Sequence, residues 1–189
     1  MSHSEVRSAR RAEIVTVARQ LIAEGGLESL TIGRLEKRLP FTRGVITHHF
    51  ANRDDIVDAV LASAVAEIDQ ATSEQAVRGM PRAEQIRAVL RTKVHGFLEH
   101  PEATNILLSF ATRAASDPRA KAVDAQIFGR YRHESSALFR RQSEVDAFAA
   151  LLVGTVIGLV VQIRLGAEGL DPDAAIDVAA EALAHTAAR

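Results

Sequence analysis

One group of side chains in this 189-residue sequence has the spacing of a metal site. His95 and Glu99 lie four residues apart, so a helix brings them to one face, and His100 is adjacent to Glu99. Histidine nitrogen and glutamate oxygen are common zinc ligands. However, no second ligand cluster accompanies them, and the sequence has no cysteine, no glycine-rich phosphate loop and no nucleophile elbow. We therefore predict no metal site, no cofactor and no catalytic residue, and keep a metal-dependent enzyme as the weaker alternative.

Positive charge is concentrated in the first 53 residues. They hold nine Lys and Arg against five Asp and Glu, whereas residues 54–189 hold fourteen against nineteen. This asymmetry is typical of a polyanion-binding module fused to another domain, although random scatter of surface charge gives the same count. The absence of cysteine and a polar first segment without the apolar core of a secretory signal predict a cytoplasmic protein.

The apolar pattern predicts an all-α protein of about nine helices. A first amphipathic helix stops at Gly25-Gly26 and carries Ile14, Val17, Ala18, Leu21 and Ile22 on one face. Two short helices follow, one from Thr31 to about Arg38 and one from Thr42 to His49, with Pro40 ending the first. Asn52 can cap a longer fourth helix.

Prolines and capping residues mark the starts of the remaining helices. The predicted helices lie at about residues 81–99, 101–115, 118–141, 144–165 and 172–187.

Two short helices joined by a tight turn in a basic segment suit a helix-turn-helix, whose second helix enters the DNA major groove. Residues 31–60, TIGRLEKRLPFTRGVITHHFANRDDIVDAV, resemble the TetR family of transcriptional regulators. The positions that carry the resemblance are Gly26, Leu30, Thr31, Thr42, Gly44, Ile46, His49, Phe50, Asn52 and Arg53. The resemblance implies a regulator and not an enzyme, with a three-helix DNA-binding domain at 1–53 and a larger helical effector-binding and dimerisation domain at 54–189. It also implies a repressor that a small molecule releases from a palindromic operator.

The expected contacts to double-stranded operator DNA come from Thr31, Thr42, Arg43, Val45, Thr47, His48 and Arg53. Arg43, second in the recognition helix, can bind guanine O6 and N7, and Val45 can pack on a thymine methyl. Thr31 can offer its hydroxyl and backbone N–H to a phosphate, and Arg53 is expected to bind the DNA backbone. Simpler alternatives remain: a helix cap for Thr31 and a solvated surface position for Arg43.

Packing residues must hold these contact residues in place. We expect the small domain's core, rather than DNA contacts, at Ile32, Leu35, Ile46 and Phe50.

Four residues depart from the family pattern. Pro40 stands where the family has glycine, and because proline cannot adopt a positive φ, the turn must differ. Glu36 and Leu39 replace small residues, Glu36 is expected to face solvent, and Thr47 replaces a tyrosine. Pro40 and Thr47 lend slight support to a helical scaffold that has lost DNA binding.

Residues 147–161 form an uncharged, mostly apolar run. The run is shorter than the roughly 18–20 residues that a bilayer needs, and Asp146 and Arg164 bound it closely, so we expect no membrane association. A helix that is apolar on every side is otherwise buried in a core or between subunits, and Gly154 and Gly158 permit close helix packing. The resemblance implies a homodimer formed through the helices at 144–165 and 172–187.

The resemblance also implies a small-molecule effector inside the larger domain, whose chemistry the sequence does not identify. The candidate pocket residues are polar groups on mostly apolar helices: Asn105, Arg113, Gln126, Tyr131, Thr155 and Gln162. The alternative is that these side chains satisfy one another within a core or an interface.

Overall fold

A computed structural model of the chain describes residues 2–72, 80–111, 117–136 and 142–187. These residues form nine α-helices and one short 3₁₀ helix, Leu27–Ser29, and the described ranges contain no strand. The helices are α1 (His3–Gly25), α2 (Ile32–Arg38), α3 (Arg43–His49), α4 (Arg53–Ala71), α5 (Arg82–Glu99), α6 (Pro101–Ala111), α7 (Pro118–Ser135), α8 (Gln142–Arg164) and α9 (Pro172–Ala187). The predicted all-α class is confirmed.

The starts of the helices agree with the capping signals. The Thr31 hydroxyl accepts the backbone N–H of Arg34, 3.2 Å away, at the start of α2. The Asn52 side chain accepts the backbone N–H of Asp55 at 2.9 Å and so caps α4. Three of the prolines are the first residues of α6, α7 and α9, where the missing N–H costs no hydrogen bond.

Helix α1 begins well before the amphipathic stretch that predicted it. Ser2 and Glu5 form a capping box: the Glu5 N–H donates to the Ser2 hydroxyl (3.3 Å), and the Ser2 N–H donates to the Glu5 carboxylate (2.6 Å). Because a capping box satisfies two otherwise unpaired donors, the polar residues that follow are helical. The helix ends at Gly26, whose φ of 70° favours glycine.

The chain forms two compact units. Unit 1 comprises Met1–Glu67 and Pro101–Ala120, and holds α1, the 3₁₀ helix, α2, α3, most of α4, and α6. Its core is apolar and includes Ile14, Leu30, Leu35, Ile46, Val57 and Ile106, all fully buried. The predicted core residue Ile32 is only half-buried.

An arginine in unit 1 joins three helices. The Arg19 guanidinium on α1 binds Glu67 (2.5 Å) and Ser63 (2.9 Å) on α4, and Glu102 (2.6 Å) on α6. Burial alone lowers the pKa of Arg19, but hydrogen bonds to the two carboxylates outweigh it, so its pKa is raised. This arginine therefore fixes α1 against α4 and α6 as a permanent cation.

Unit 2 comprises Ile68–His100 and Lys121–Arg189, and holds the end of α4, α5, most of α7, α8 and α9. Helices α5 and α9 are bridged by ion pairs from Arg87 to Asp177 (2.8 Å) and to Glu181 (3.0 Å). Gly96 allows the end of α4 to approach α5 closely, because a Cβ there would lie 2.7 Å from a methyl group of Thr72.

The predicted domain boundary after residue 53 falls at the start of α4, whereas the two compact units divide inside that helix. The assignment of residues 1–53 to DNA binding and 54–189 to effector binding and dimerisation stays a prediction.

Candidate nucleic-acid interface

Helices α2 and α3 form the predicted helix-turn-helix. Leu39 ends α2 in an extended conformation (φ −99°, ψ 148°), which is what a following proline imposes. No residue between the two helices has a positive φ, so the turn is built without the left-handed position that a glycine would supply. Pro40 therefore changes the turn, as expected, without disrupting either helix.

Glu36 has a role that the sequence did not reveal. It is exposed, as expected, but its carboxylate also accepts the backbone N–H of Arg43 at 3.0 Å, the first residue of α3. Thr42, the residue in the N-cap position, makes no side-chain capping bond. Because Glu36 supplies the cap, the Thr42 hydroxyl is left available for an external partner.

One face of α3 is buried and the opposite face is open. Ile46 on α3 is fully buried, as is Leu35 on α2, and Phe50 immediately after α3 is 2% exposed. The open side carries the sequence-predicted contact residues: Thr42, Arg43, Thr47 and His48 are exposed, and Val45 is half-buried. The Thr47 hydroxyl donates to the Arg43 carbonyl oxygen at 3.1 Å. The structure thus brings five of the seven predicted contact residues together on one accessible surface.

The remaining two predicted contacts lie on neighbouring elements. Thr31 is exposed at the start of α2, where its oxygen acts as a cap while its hydroxyl proton can still be donated. Arg53 is half-buried, and its guanidinium donates to the backbone carbonyl oxygens of Leu30 (2.7 Å) and Leu27 (2.6 Å). The structure gives Arg53 an intramolecular role, and its contact to DNA stays a prediction.

Three arginines near the start of α1 enlarge the positive surface around α3. Arg7, Arg10 and Arg11 are exposed, and the Arg11 guanidinium carbon lies 4.7 Å from the ring centre of Phe50. Burial of the ring lowers the pKa of His49, and the positive charges of His48 and these three arginines lower it further. These arginines contribute to the positive charge of residues 1–53, and their i, i+3, i+4 spacing, which puts them on one helix face, is the signal that could have assigned them to a surface of their own.

The predicted effector residues are not gathered into one place. Asn105 belongs to unit 1 and is exposed, whereas Gln126 and Gln162 are exposed in unit 2. Thr155 is half-buried and its hydroxyl donates to the Leu151 carbonyl oxygen of its own helix at 2.8 Å. Arg113 lies outside the described residues.

Tyr131 is the one buried member of the described candidates, and it contacts a lysine that the sequence did not single out. The Lys93 ammonium on α5 lies 4.6 Å from the centre of the Tyr131 ring, and Lys93 itself is 1% exposed. A buried lysine against an aromatic face is a cation–π interaction. Its spacing from Ile86, Leu90 and Phe97 places Lys93 on the apolar face of α5, and this spacing is the signal that could have marked it as buried.

The three residues that were considered for a metal site lie on α5 or at its end. His95 and Glu99 are exposed there, and His100 ends the helix half-buried. Across the described ranges, no three His, Cys, Asp or Glu side chains are placed to hold a metal ion.

Helix α8 presents a second surface, which is apolar. Ser143–Arg164 has a mean hydropathy of 2.0 over its most apolar window, yet only 33% of that window is buried. Leu151 on α8 is 50% exposed and Val178 on α9 is 71% exposed. A Cβ added to Gly154 or Gly158 would meet nothing within 4 Å in the described residues.

Two family profiles match the chain. Residues 14–60 match "Bacterial regulatory proteins, tetR family", and residues 81–188 match "BetI-type transcriptional repressor, C-terminal". The second match alone covers more than half of the sequence.

Individual relatives agree with these profiles. The chain is 23% identical over 179 residues to the HTH-type transcriptional regulator BetI of Burkholderia mallei, covering 92% of this chain and 91% of that protein. Its fold is similar to a transcriptional regulator from Rhodococcus sp. Rha1 (TM-score 0.69, 22% identity, 93% and 94% of the two chains). It is also similar to a putative transcriptional regulator from Saccharomonospora viridis solved in complex with choline (TM-score 0.68, 21% identity, 92% and 95%).

Proposed function

Because the chain belongs to the TetR family of bacterial transcriptional regulators, we propose that it binds a palindromic operator as a homodimer and releases it when a small molecule binds. The chain is a DNA-binding transcriptional repressor and not an enzyme. The observation that carries the proposal is α3, whose buried side fixes it in unit 1 while its polar side is open. An exposed helix of this kind fits the wide major groove of a duplex.

Within α3 we assign base recognition to Arg43 and Val45. The Arg43 side chain is exposed and makes no ion pair with any residue that the structure describes, so it is available for guanine O6 and N7. Val45, two residues further along the same helix and half-buried, is the apolar group that we assign to a thymine methyl. We assign polar contacts to phosphates and base edges to Thr31, Thr42, Thr47 and His48.

Operator binding by an Arg43→Ala variant tests this assignment. The operator is obtained by selecting duplexes from a randomised pool with the wild-type protein. Arg43→Ala is expected to weaken operator binding by about 1–3 kcal/mol while changing affinity for a scrambled duplex much less. Lys121→Ala, which removes an exposed cation from unit 2, is the matched control. Equal operator affinity for all three proteins would refute the role of Arg43.

The open apolar surface of α8 and α9 supports the homodimer. Only one-third of the most apolar window of α8 is buried within its own chain. The rest leaves a large apolar area exposed to water, which is unfavourable in a monomer. Leu151, Gly154 and Gly158 fall at i, i+3 and i+7, so they form one stripe along which a second helix can approach. We assign this surface to a second copy of the chain, because a two-fold dimer presents two α3 helices to a palindrome. Because we assign the apolar surface to a second copy of the chain and not to lipid, we place the protein in the cytoplasm, with the DNA, and not in the membrane.

We propose that the effector binds in unit 2. Among the candidate residues, Tyr131 is assigned to this site because its side chain is buried, as a residue that lines a pocket would be. The relative from Saccharomonospora viridis was solved with choline, so choline is the first compound to test. Here the Tyr131 ring already faces the Lys93 ammonium, which disfavours a second cation on that face. Loss of operator binding on adding choline would show that this chain still accepts a quaternary ammonium, and no change would direct the search to neutral or acidic compounds.

A further inference from the structure

A second positive surface lies beside α3, on the first turns of α1. The match to the family's DNA-binding profile begins at residue 14, but α1 begins at His3, because the Ser2–Glu5 capping box starts the helix there. Arg7, Arg10 and Arg11 therefore stand on a helix, at fixed positions relative to one another. We call these three residues the basic α1 face.

One ring contact and the electrostatics of His49 place the basic α1 face near the end of the recognition helix. The Arg11 guanidinium carbon is 4.7 Å from the ring centre of Phe50, which ends α3. The ring of His49, the last residue of α3, is close enough to Arg7, Arg10 and Arg11 for their charges to lower its pKa, after the larger effect of burial. The basic α1 face thus lies beside the C-terminal end of α3.

Within the described residues, no ion pair neutralises the charge of the basic α1 face. Among the residues that the structure describes, no carboxylate forms an ion pair with Arg7, Arg10 or Arg11. Two other arginines of unit 1 are paired: Arg19 binds Glu67 and Glu102, and Arg38 binds Glu24 through two hydrogen bonds of 2.9 and 2.6 Å. Five positive or titratable groups in one region, with no ion pair to a carboxylate in the described part of the chain, favour a polyanion as their partner.

We propose that the basic α1 face contacts the DNA phosphates next to the base pairs that α3 reads. Arg7 and Arg10 bind the phosphates, and Arg11, stacked on Phe50, holds the face against α3. This proposal rests on the proposed placement of α3 in the major groove. It adds a sequence-independent contribution to affinity, because phosphate contacts release condensed counterions and carry no base information.

The test measures how affinity depends on salt for the full chain carrying Arg7→Ala and Arg10→Ala together. The probes are the selected operator and a scrambled duplex of equal length. The slope of log K against log salt is expected to fall by about 0.9 for each lost contact, or about 1.8 per protomer, on both duplexes alike. The ratio of the two affinities stays unchanged.

Matched variants separate charge from structure. Arg7→Lys with Arg10→Lys keeps the charge and is expected to restore the wild-type salt slope. Each single alanine variant is expected to lower the slope by about 0.9 per protomer, which keeps the test valid if the double variant folds poorly. An unchanged salt slope, a loss confined to the operator, or lysine variants that behave like alanine variants would each overturn the proposal. The scrambled duplex requires no base recognition, so this result is independent of the Arg43→Ala result on the operator.

Discussion

The Arg53 guanidinium holds the start of α4 against the segment that precedes α2. It donates to the carbonyl oxygens of Leu30, which follows the 3₁₀ helix, and of Leu27, which begins it. Hydrogen bonds from a charged donor contribute more than neutral ones, commonly about 1.5–3 kcal/mol each before solvent exposure is considered. Because the Arg53 side chain is 35% exposed, we expect its contribution to lie at the low end of that range.

Arg53→Ala is therefore expected to lower the free energy of unfolding by about 1–2 kcal/mol, measured by urea denaturation. The contact to phosphate suggested by the sequence predicts a different result: unchanged stability and a salt slope of DNA binding lower by about 0.9 per protomer. A variant with wild-type stability would contradict the intramolecular role.

His49 makes the stability of unit 1 depend on pH. Burial and the nearby positive charges lower the pKa of His49 in the folded state below the value of about 6.5 that an unfolded histidine has. As pH falls through 6.5, the unfolded state binds a proton that the folded state does not, so acidification destabilises the fold. The stabilising effect of a neutral His49 is present above pH 6.5 and is lost as pH falls through the folded pKa.

We expect the melting temperature of the wild type to fall more between pH 7.5 and pH 5.5 than that of His49→Gln. His95→Gln, which removes an exposed histidine from α5, is the control and is expected to follow the wild type. Parallel melting curves for the wild type and His49→Gln across this range would contradict the prediction.

At the scale of helices, the sequence predicts elements best where a local signal is strong. The capping residues Thr31 and Asn52 and the helix-initial prolines determined the starts of α2, α4, α6, α7 and α9. The start of α1 was missed because Ser2 and Glu5 precede any apolar periodicity.

Contacts between helices could not be read in the same way. The cap that Glu36 provides for α3 and the contact between Lys93 and Tyr131 join residues whose spacing carries no signal. Likewise, the three partners of Arg19 lie on two other helices, far along the chain. Such pairs follow from packing, which a single sequence does not display.

The open stripe of α8 gives a prediction about assembly. Leu151→Glu is expected to convert a dimer into monomers at micromolar concentration, because a carboxylate buried without a partner costs about 3–5 kcal/mol. Sedimentation velocity gives the measurement, and Met80→Glu, which places the same charge at another exposed apolar position, is the matched control. A Leu151→Glu protein that sediments with the wild type as a dimer would exclude this stripe as the interface.

In the proposed homodimer, dimerisation and DNA recognition are linked. A single helix-turn-helix contacts few base pairs, so a single copy of unit 1 is expected to discriminate weakly between sequences. Two copies joined by a two-fold axis would read two half-sites about one helical turn apart, or a multiple of that distance. Monomeric variants are therefore expected to lose operator preference before they lose general affinity for DNA.

The most direct test of base reading by Arg43 changes the DNA and the protein together. Single guanines of the selected operator are replaced by 7-deazaguanine, which lacks the N7 acceptor, and affinity is measured for the wild type and for Arg43→Ala. If Arg43 reads a guanine from the major groove, one replacement per half-site weakens wild-type binding by about 1–3 kcal/mol and has no further effect on the variant. Equal losses for both proteins at every guanine would contradict the claim that α3 reads the operator through Arg43.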